Sequence, residues 1–197
     1  MNLRHGLIAA AVAALCAGSA IASHDYSGFI QRNIHQQQRI DAGLRSGELT
    51  TEEAAWLQRD QGRIARVQAE ALQDGDVTEG EGERIARMQD RASDDIYQEK
   101  HNRETGDPES PSARRMQAGV ERNIRQQMHI QRGIDSGELT AQEAGELVYG
   151  QARLNGRLAR IARDGRVETG EQARIEQAQS RQSERIWERR HDQATRW

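Results

Sequence analysis

A short turn, Ser46-Gly47-Glu48-Leu49-Thr50, constrains this chain more than any other feature, because variants of the segment from Ser46 to Glu53 return at Asp74 to Glu81, Ser136 to Glu143 and Asp164 to Glu171. A small polar residue followed by glycine ends a helix, since glycine takes the left-handed conformation without a Cβ penalty. Thr50 and Glu53 then have the spacing of a reciprocal capping box, and Leu49 and Ala54 stand at the hydrophobic-staple positions around it. Each turn therefore closes one helix and opens the next at once. A cap of this kind stabilises by about 1 kcal/mol, which matters in a chain with few large apolar residues.

The turns are related in pairs. Shifted by 90 places, Ile30 to Arg103 aligns with Val120 to Gln193 without a gap, and 30 of the 74 positions are identical, which marks an internal duplication. Inside the first copy Ile30, Ile34, Ile40 and Leu44 follow a helical period, as do Leu57, Ile64, Val67, Ala71 and Leu72, and then Ile85, Met88, Ala92 and Ile96. No segment alternates as a strand would. The expected fold is all-α, two tandem three-helix units joined by a proline-containing linker. The expected divisions are 1–22, 23–103, 104–119 and 120–197, with Pro108 and Pro111 in the linker.

Aromatic residues make up 4% of the chain, so a lone copy would have a thin core, and docking of the two copies or of two molecules is expected. Arg, Gln and Glu are expected to cover the helix surfaces. Gly145, Gly150 and Gly156 are expected to weaken the middle helix of the second copy, by up to about 1 kcal/mol each.

The first 22 residues read as a secretory signal peptide: Arg4, an apolar run from Gly6 to Ala17, then Ala20-Ile21-Ala22 before Ser23. The implied destination is periplasmic or secreted. The run is too short to span a membrane. Cleavage would remove Cys16, the one cysteine, so neither a disulfide nor thiol chemistry is expected in the mature chain. It would also remove Arg4, deepening the net charge of −3, a balance that argues against nucleic-acid binding.

The turns also carry the pattern of the second half of a calcium-binding loop. Counting back from Gly75, the second reads Glu70-Ala71-Leu72-Gln73-Asp74-Gly75-Asp76-Val77-Thr78-Glu79-Gly80-Glu81. Asp74, Gly75, Val77, Thr78 and Glu81 match the EF-hand pattern, Glu70 stands at its first position, and Leu72 departs at the third. The other three turns have Ala42, Arg132 and Arg160 at the first position. The chain thus resembles degenerate EF-hand tandem repeats, half-loops only, with a close spacing similar to that of the lanthanide-binding lanmodulin type. The resemblance implies a weak site for calcium or a similar hard cation at Glu70, Asp74, Asp76, Thr78 and Glu81, with no cofactor required.

His101 and His191 each follow an aromatic residue, Tyr97 or Trp187, by four places and should stack on it at a helix C-terminus. Ser93 and His101 are eight residues apart on one helix, about 12 Å, and no nucleophile elbow is present, so no catalytic residue and no enzyme activity are expected. Arg84, Arg87 and Arg91 form a basic stripe, expected as a solvated face.

The function expected from these features is that of a non-enzymatic exported module that binds a protein partner or itself. Leu49-Thr50-Thr51-Glu52-Glu53 and Leu139-Thr140-Ala141-Gln142-Glu143 also loosely resemble the paired Leu-Thr motifs of the Spy and CpxP family, which implies a periplasmic chaperone or stress sensor as the alternative.

Overall fold

A computed structural model of the chain describes residues 22–192. The described residues form six helices and no strand: α1 (Ala22–Ser46), α2 (Thr51–Ala71), α3 (Glu79–Lys100), α4 (Pro111–Asp135), α5 (Ala141–Ile161) and α6 (Thr169–His191). The expected signal peptide lies outside the described residues except for Ala22.

The corners form as the local sequence dictates. Gly47, Gly75, Gly137 and Gly165 have φ of 80°, 94°, 71° and 76°, the left-handed values that suit glycine. The Glu53 amide donates to Thr50 Oγ1 at 3.1 Å, and the Thr50 amide donates to Glu53 Oε2 at 2.8 Å. Thr78 with Glu81 and Thr140 with Glu143 repeat both bonds. At the fourth corner, where Glu168 stands in place of threonine, the Glu168 amide donates to Glu171 Oε2 at 3.0 Å. Leu49 and Leu139 fold back over the ends of α1 and α4. Gly43 and Gly133 make that possible, since a Cβ there would stand 2.7 and 2.6 Å from the leucine side chain. The last turns of α3 and α6 lie over the same corners: Lys100 pairs with Glu48 at 3.1 Å and Arg190 with Glu138 at 2.6 Å.

The most extensive helix contact is α2 on α5, followed by α1 on α4, and both join residues from different sequence copies. One hydrophobic core consequently runs through all six helices, from Ile30 and Leu44 in α1 to Ile175 and Ile186 in α6. Helices α2 and α5 approach antiparallel along small residues, Gly62 and Ala69 on one and Gly145, Ala152 and Gly156 on the other. A Cβ on Gly62 would meet Ala152 O at 3.2 Å and Gly156 N at 3.3 Å, and one on Gly145 would meet Leu72 Cβ at 3.0 Å. The glycines expected to weaken α5 do not interrupt it. Helix α5 is continuous from Ala141 to Ile161, and Gly145 serves the close approach of backbones rather than a bend.

The segment expected as a linker, 104–119, is open only in its first half. Ser110 Oγ accepts the Ala113 amide at 3.2 Å, and Pro111 at the first helical position needs no hydrogen bond, so α4 begins there. Ala113, Met116 and Gly119 are buried in that helix. The preceding strip is itself docked, with the Gly106 amide donating to Gly47 O at 2.9 Å.

A correction concerns glutamine, expected on the surface. Apart from Thr51 and Glu53, every buried polar side chain among the described residues is Asn or Gln. Gln36 in α1 donates to Gln89 O at 2.6 Å and to Ser93 Oγ at 2.7 Å, both in α3, and accepts from Gln61 Nε2 of α2 at 2.9 Å. Gln89 in turn donates to Asn33 Oδ1 at 2.7 Å and to Phe29 O at 2.8 Å. Every one of these bonds recurs 90 residues on, at Gln126, Gln179, Ser183, Gln151, Asn123 and Gly119. Buried amides bonded in this way avoid the desolvation cost of an unpaired polar group and fix how the helices align.

Candidate functional site

The turn at Asp74 to Glu81 was the sequence candidate for a cation. It follows α2, whose last turn ends when the Gln73 amide bonds to Glu70 O at 3.2 Å, and it precedes the capped start of α3. Asp74 and Asp76 are exposed, and Asp74 Oδ1 accepts the Asp76 amide at 3.3 Å. Both line a cavity of about 460 Å³ between this corner and the corner at Gly137, walled by Leu72, Val77, Ile134 and Leu139, with Tyr26 among its lining.

The remaining candidates are placed differently. Thr78 and Glu81 hold each other in the cap, the Thr78 hydroxyl donating to Glu81 Oε2 at 2.6 Å. Glu70 lines a separate groove beside Gln142, Glu146 and Tyr149. The structure therefore brings Asp74 and Asp76 together and keeps Glu70 apart from them. No group of three Asp, Glu, His or Cys side chains able to hold a metal occurs among the described residues. The physical reason for the separation lies in α2. Leu72, at the third loop position, is the C-cap of α2 and is buried in the core, so the first two loop positions, Glu70 and Ala71, belong to the helix.

Tyr26 is the lining residue that sequence reasoning missed. It is buried, its hydroxyl has no partner, and burial pushes its pKa well above the ordinary value for a phenol. The sign follows directly. The folded state favours the neutral phenol, so its contribution to stability is complete below the unfolded value of about 10 and is lost as pH rises toward the folded one. Melting temperature is expected to fall between pH 10 and pH 11, and Tyr26→Phe to remove much of that fall. An unchanged alkaline profile in the variant would assign the loss to other groups.

The two histidines sit as their spacing predicts. His101 stacks on Tyr97 with centroids 4.1 Å apart, and His191 on Trp187 at 4.5 Å. Each Nδ1 lies 2.7 Å from the carbonyl oxygen of that aromatic residue, which makes it the protonated nitrogen.

The larger surprise is where the aromatic side chains are. Trp56, Tyr97, Tyr149 and Trp187 are 54%, 58%, 47% and 62% exposed, while the core is built of Ile, Leu and Ala. In the sequence the signal was available at Tyr97 and Trp187, which occupy equivalent places at the polar ends of the last helix of each copy. No helix among the described residues is long and apolar enough to cross a membrane. Comparison of the chain with protein-family models, with curated proteins and with solved structures gives no match.

Proposed function

We propose that this chain is a non-enzymatic exported protein that works by binding, a helical-repeat module whose exposed aromatic side chains contact a protein partner. The observation that carries the reading is the exposure of Trp56, Tyr97, Tyr149 and Trp187 in a chain that has so few aromatic residues to bury. Each keeps about half its surface in water, which forgoes part of the about 1.5–3 kcal/mol that full burial of a large apolar side chain gives. Aromatic residues are also the anchors that protein interfaces favour.

In this reading the two sequence copies are three-helix units of common origin, docked through α2 and α5, and export follows from the signal peptide. Cation binding is weak and secondary. Asp74 and Asp76 supply the carboxylates, and Glu81 contributes the oxygen its cap leaves free, with water completing the shell. The mature chain is expected to gain melting temperature in several millimolar calcium and to lose that gain in Asp76→Asn. Asp76 makes no cap bond, so the fold is untouched by the change. No calcium-dependent shift in the parent would remove the cation from the reading.

The Spy-like chaperone is the second reading, and the same aromatic exposure favours it. It predicts suppression of aggregation of a reduced, unfolding client at near-stoichiometric ratio, without metal, and loss of that suppression in a Trp56→Ser/Trp187→Ser variant. Failure of the parent protein in this assay eliminates the chaperone and leaves the specific-partner reading.

A further inference from the structure

We propose that the groove between α5 and α6 binds an anion carrying linked phosphate groups. The groove encloses about 370 Å³ and is lined by Arg153 and Arg157 of α5 and by Arg181 and Arg185 of α6. Small-ligand sites are of this size. None of the four guanidiniums makes an ion pair or a hydrogen bond with any described residue, although Glu184 and Glu188 line the same groove.

Each helix holds its two arginines at i and i+4. Like charges at that spacing repel and destabilise a helix. Some surface arginines elsewhere are placed against acids, Arg45 on Asp41 and Glu121, Arg87 on Glu83, Arg125 on Glu121 and Arg189 on Glu146, and others such as Arg66, Arg84 and Arg174 stand alone, but only here do four converge on one groove among the cavities described. Four arginines against two glutamates leave the groove a net positive charge that no ion pair discharges, which suits a counter-charge from outside.

The duplication supplies the internal control. The equivalent positions in the first copy are Arg63, Val67, Arg91 and Asp95. There Arg63 pairs with Asp60 at 3.0 Å, and Asp95 stands near Arg91 and Asp60, so both repulsive pairs are broken and the charge is neutralised. In the second copy Gly150 replaces Asp60, Arg157 replaces Val67 and Arg185 replaces Asp95. Gly150 is also held by packing, since a Cβ there would stand 2.3 Å from Gln182 Oε1. Three changes toward positive charge on one groove, against one toward negative where Glu188 replaces Gln98, distinguish this copy from its twin.

Guanidinium groups bind phosphate oxygens in pairs and with directional fit, which singles out phosphate among anions. The two arginines of each helix are about 6 Å apart along its axis, too far for one phosphate to satisfy all four and suitable for a short phosphate chain. Glu184 and Glu188 limit how far a polyanion could extend, and the net charge of −3 disfavours long nucleic acid.

The test is calorimetric titration of the full mature chain with sodium tripolyphosphate at low ionic strength. Saturable binding at one site is expected, weakened at least tenfold in Arg157→Val/Arg185→Asp. Those are the residues the first copy carries, so the fold tolerates them, and the ligand-free melting temperature should hold or rise. Arg84→Gln/Arg87→Gln, on the stripe of α3, should bind within twofold of the parent. Absence of saturable binding at millimolar tripolyphosphate overturns the proposal, as does equal weakening in the α3 variant. Orthophosphate binding as tightly as tripolyphosphate overturns the requirement for linked phosphates. Phosphatidylglycerol vesicles that capture the protein when tripolyphosphate does not bind would place the ligand on a membrane surface and overturn it too.

Discussion

Gln36→Leu is expected to cost about 2 kcal/mol of stability, although leucine is apolar and the site is buried. Gln36 is the hub through which α1 reaches both other helices of its copy, bonding Gln89 O, Ser93 Oγ and Gln61 Nε2. Leucine leaves the Gln61 amide buried and without an acceptor, and the penalty for such a group exceeds what the added apolar contact returns. The Gln89 carbonyl is less affected because its helix provides a second donor. At about 2–4 °C per kcal/mol for a chain of this size, the melting temperature should drop by roughly 4–8 °C. Gln126→Leu should do the same, because its partners Gln179, Ser183 and Gln151 repeat the arrangement.

The double variant Gln36→Leu/Gln61→Leu separates this account from a simple packing defect. Removing both partners of a buried hydrogen bond with apolar groups of similar shape is close to neutral. The pair should therefore be more stable than Gln36→Leu alone, with a coupling of at least about 1 kcal/mol. Additive losses would mean that the amides merely occupy space.

The glutamine network also marks the limit of what could be read from the chain. Helices, corners and their caps were legible because each depends on residues three or four apart: Gly47 before Thr50, Thr50 before Glu53, Ile30 before Ile34. Polarity scales place glutamine at the surface, and here they fail because its partners lie on other helices, 25 to 57 residues away. One signal was present. Asn33, Gln36, Gln37, Gln61 and Gln89 are all identical 90 places on, as are the core residues Ile34, Ile40 and Ile85, whereas exposed Trp56 and Arg66 are not. Identity between copies marked these shared amides, but not buried Gln58 and Gln68, which become Val148 and Leu158, and it also covers exposed Arg63 and Arg84.

The cation site was legible only as a resemblance. Glu70 belongs to the last turn of α2 and lines a different groove from Asp74, a consequence of where the helix ends that the loop pattern does not encode. The arginine groove needed the fold, since Arg153 and Arg181 are brought to one groove only by the packing of α5 on α6.

Gly62→Leu should be the most damaging single change in the chain, costing about 3 kcal/mol or more. Gly62 lies at the middle of the largest helix contact, where a Cβ would face Ala152 O at 3.2 Å, Gly156 N at 3.3 Å and Asn155 Cβ at 3.4 Å. Two of these are backbone atoms of a helix that is itself packed, and they have no rotamer by which to move aside. A leucine there must wedge α2 from α5 along the line where Ala69 and Gly145 also meet, opening the core that the two copies share. Gly156→Ala offers the opposite expectation from the same interface. A Cβ on Gly156 meets nothing within 4 Å, so alanine should simply recover helix propensity and raise stability by up to about 1 kcal/mol. Gly145→Ala, with Leu72 Cβ at 3.0 Å, should be neutral or worse despite the same gain in propensity. Urea unfolding of the three variants therefore ranks Gly156→Ala above the parent, Gly145→Ala at or below it, and Gly62→Leu last. If Gly62→Leu unfolds at the midpoint of the parent, α2 and α5 do not meet at this glycine and the shared core is wrongly drawn. Equal stabilisation by alanine at Gly145 and Gly156 would likewise mean that propensity alone, and not the antiparallel contact, accounts for the glycines of α5.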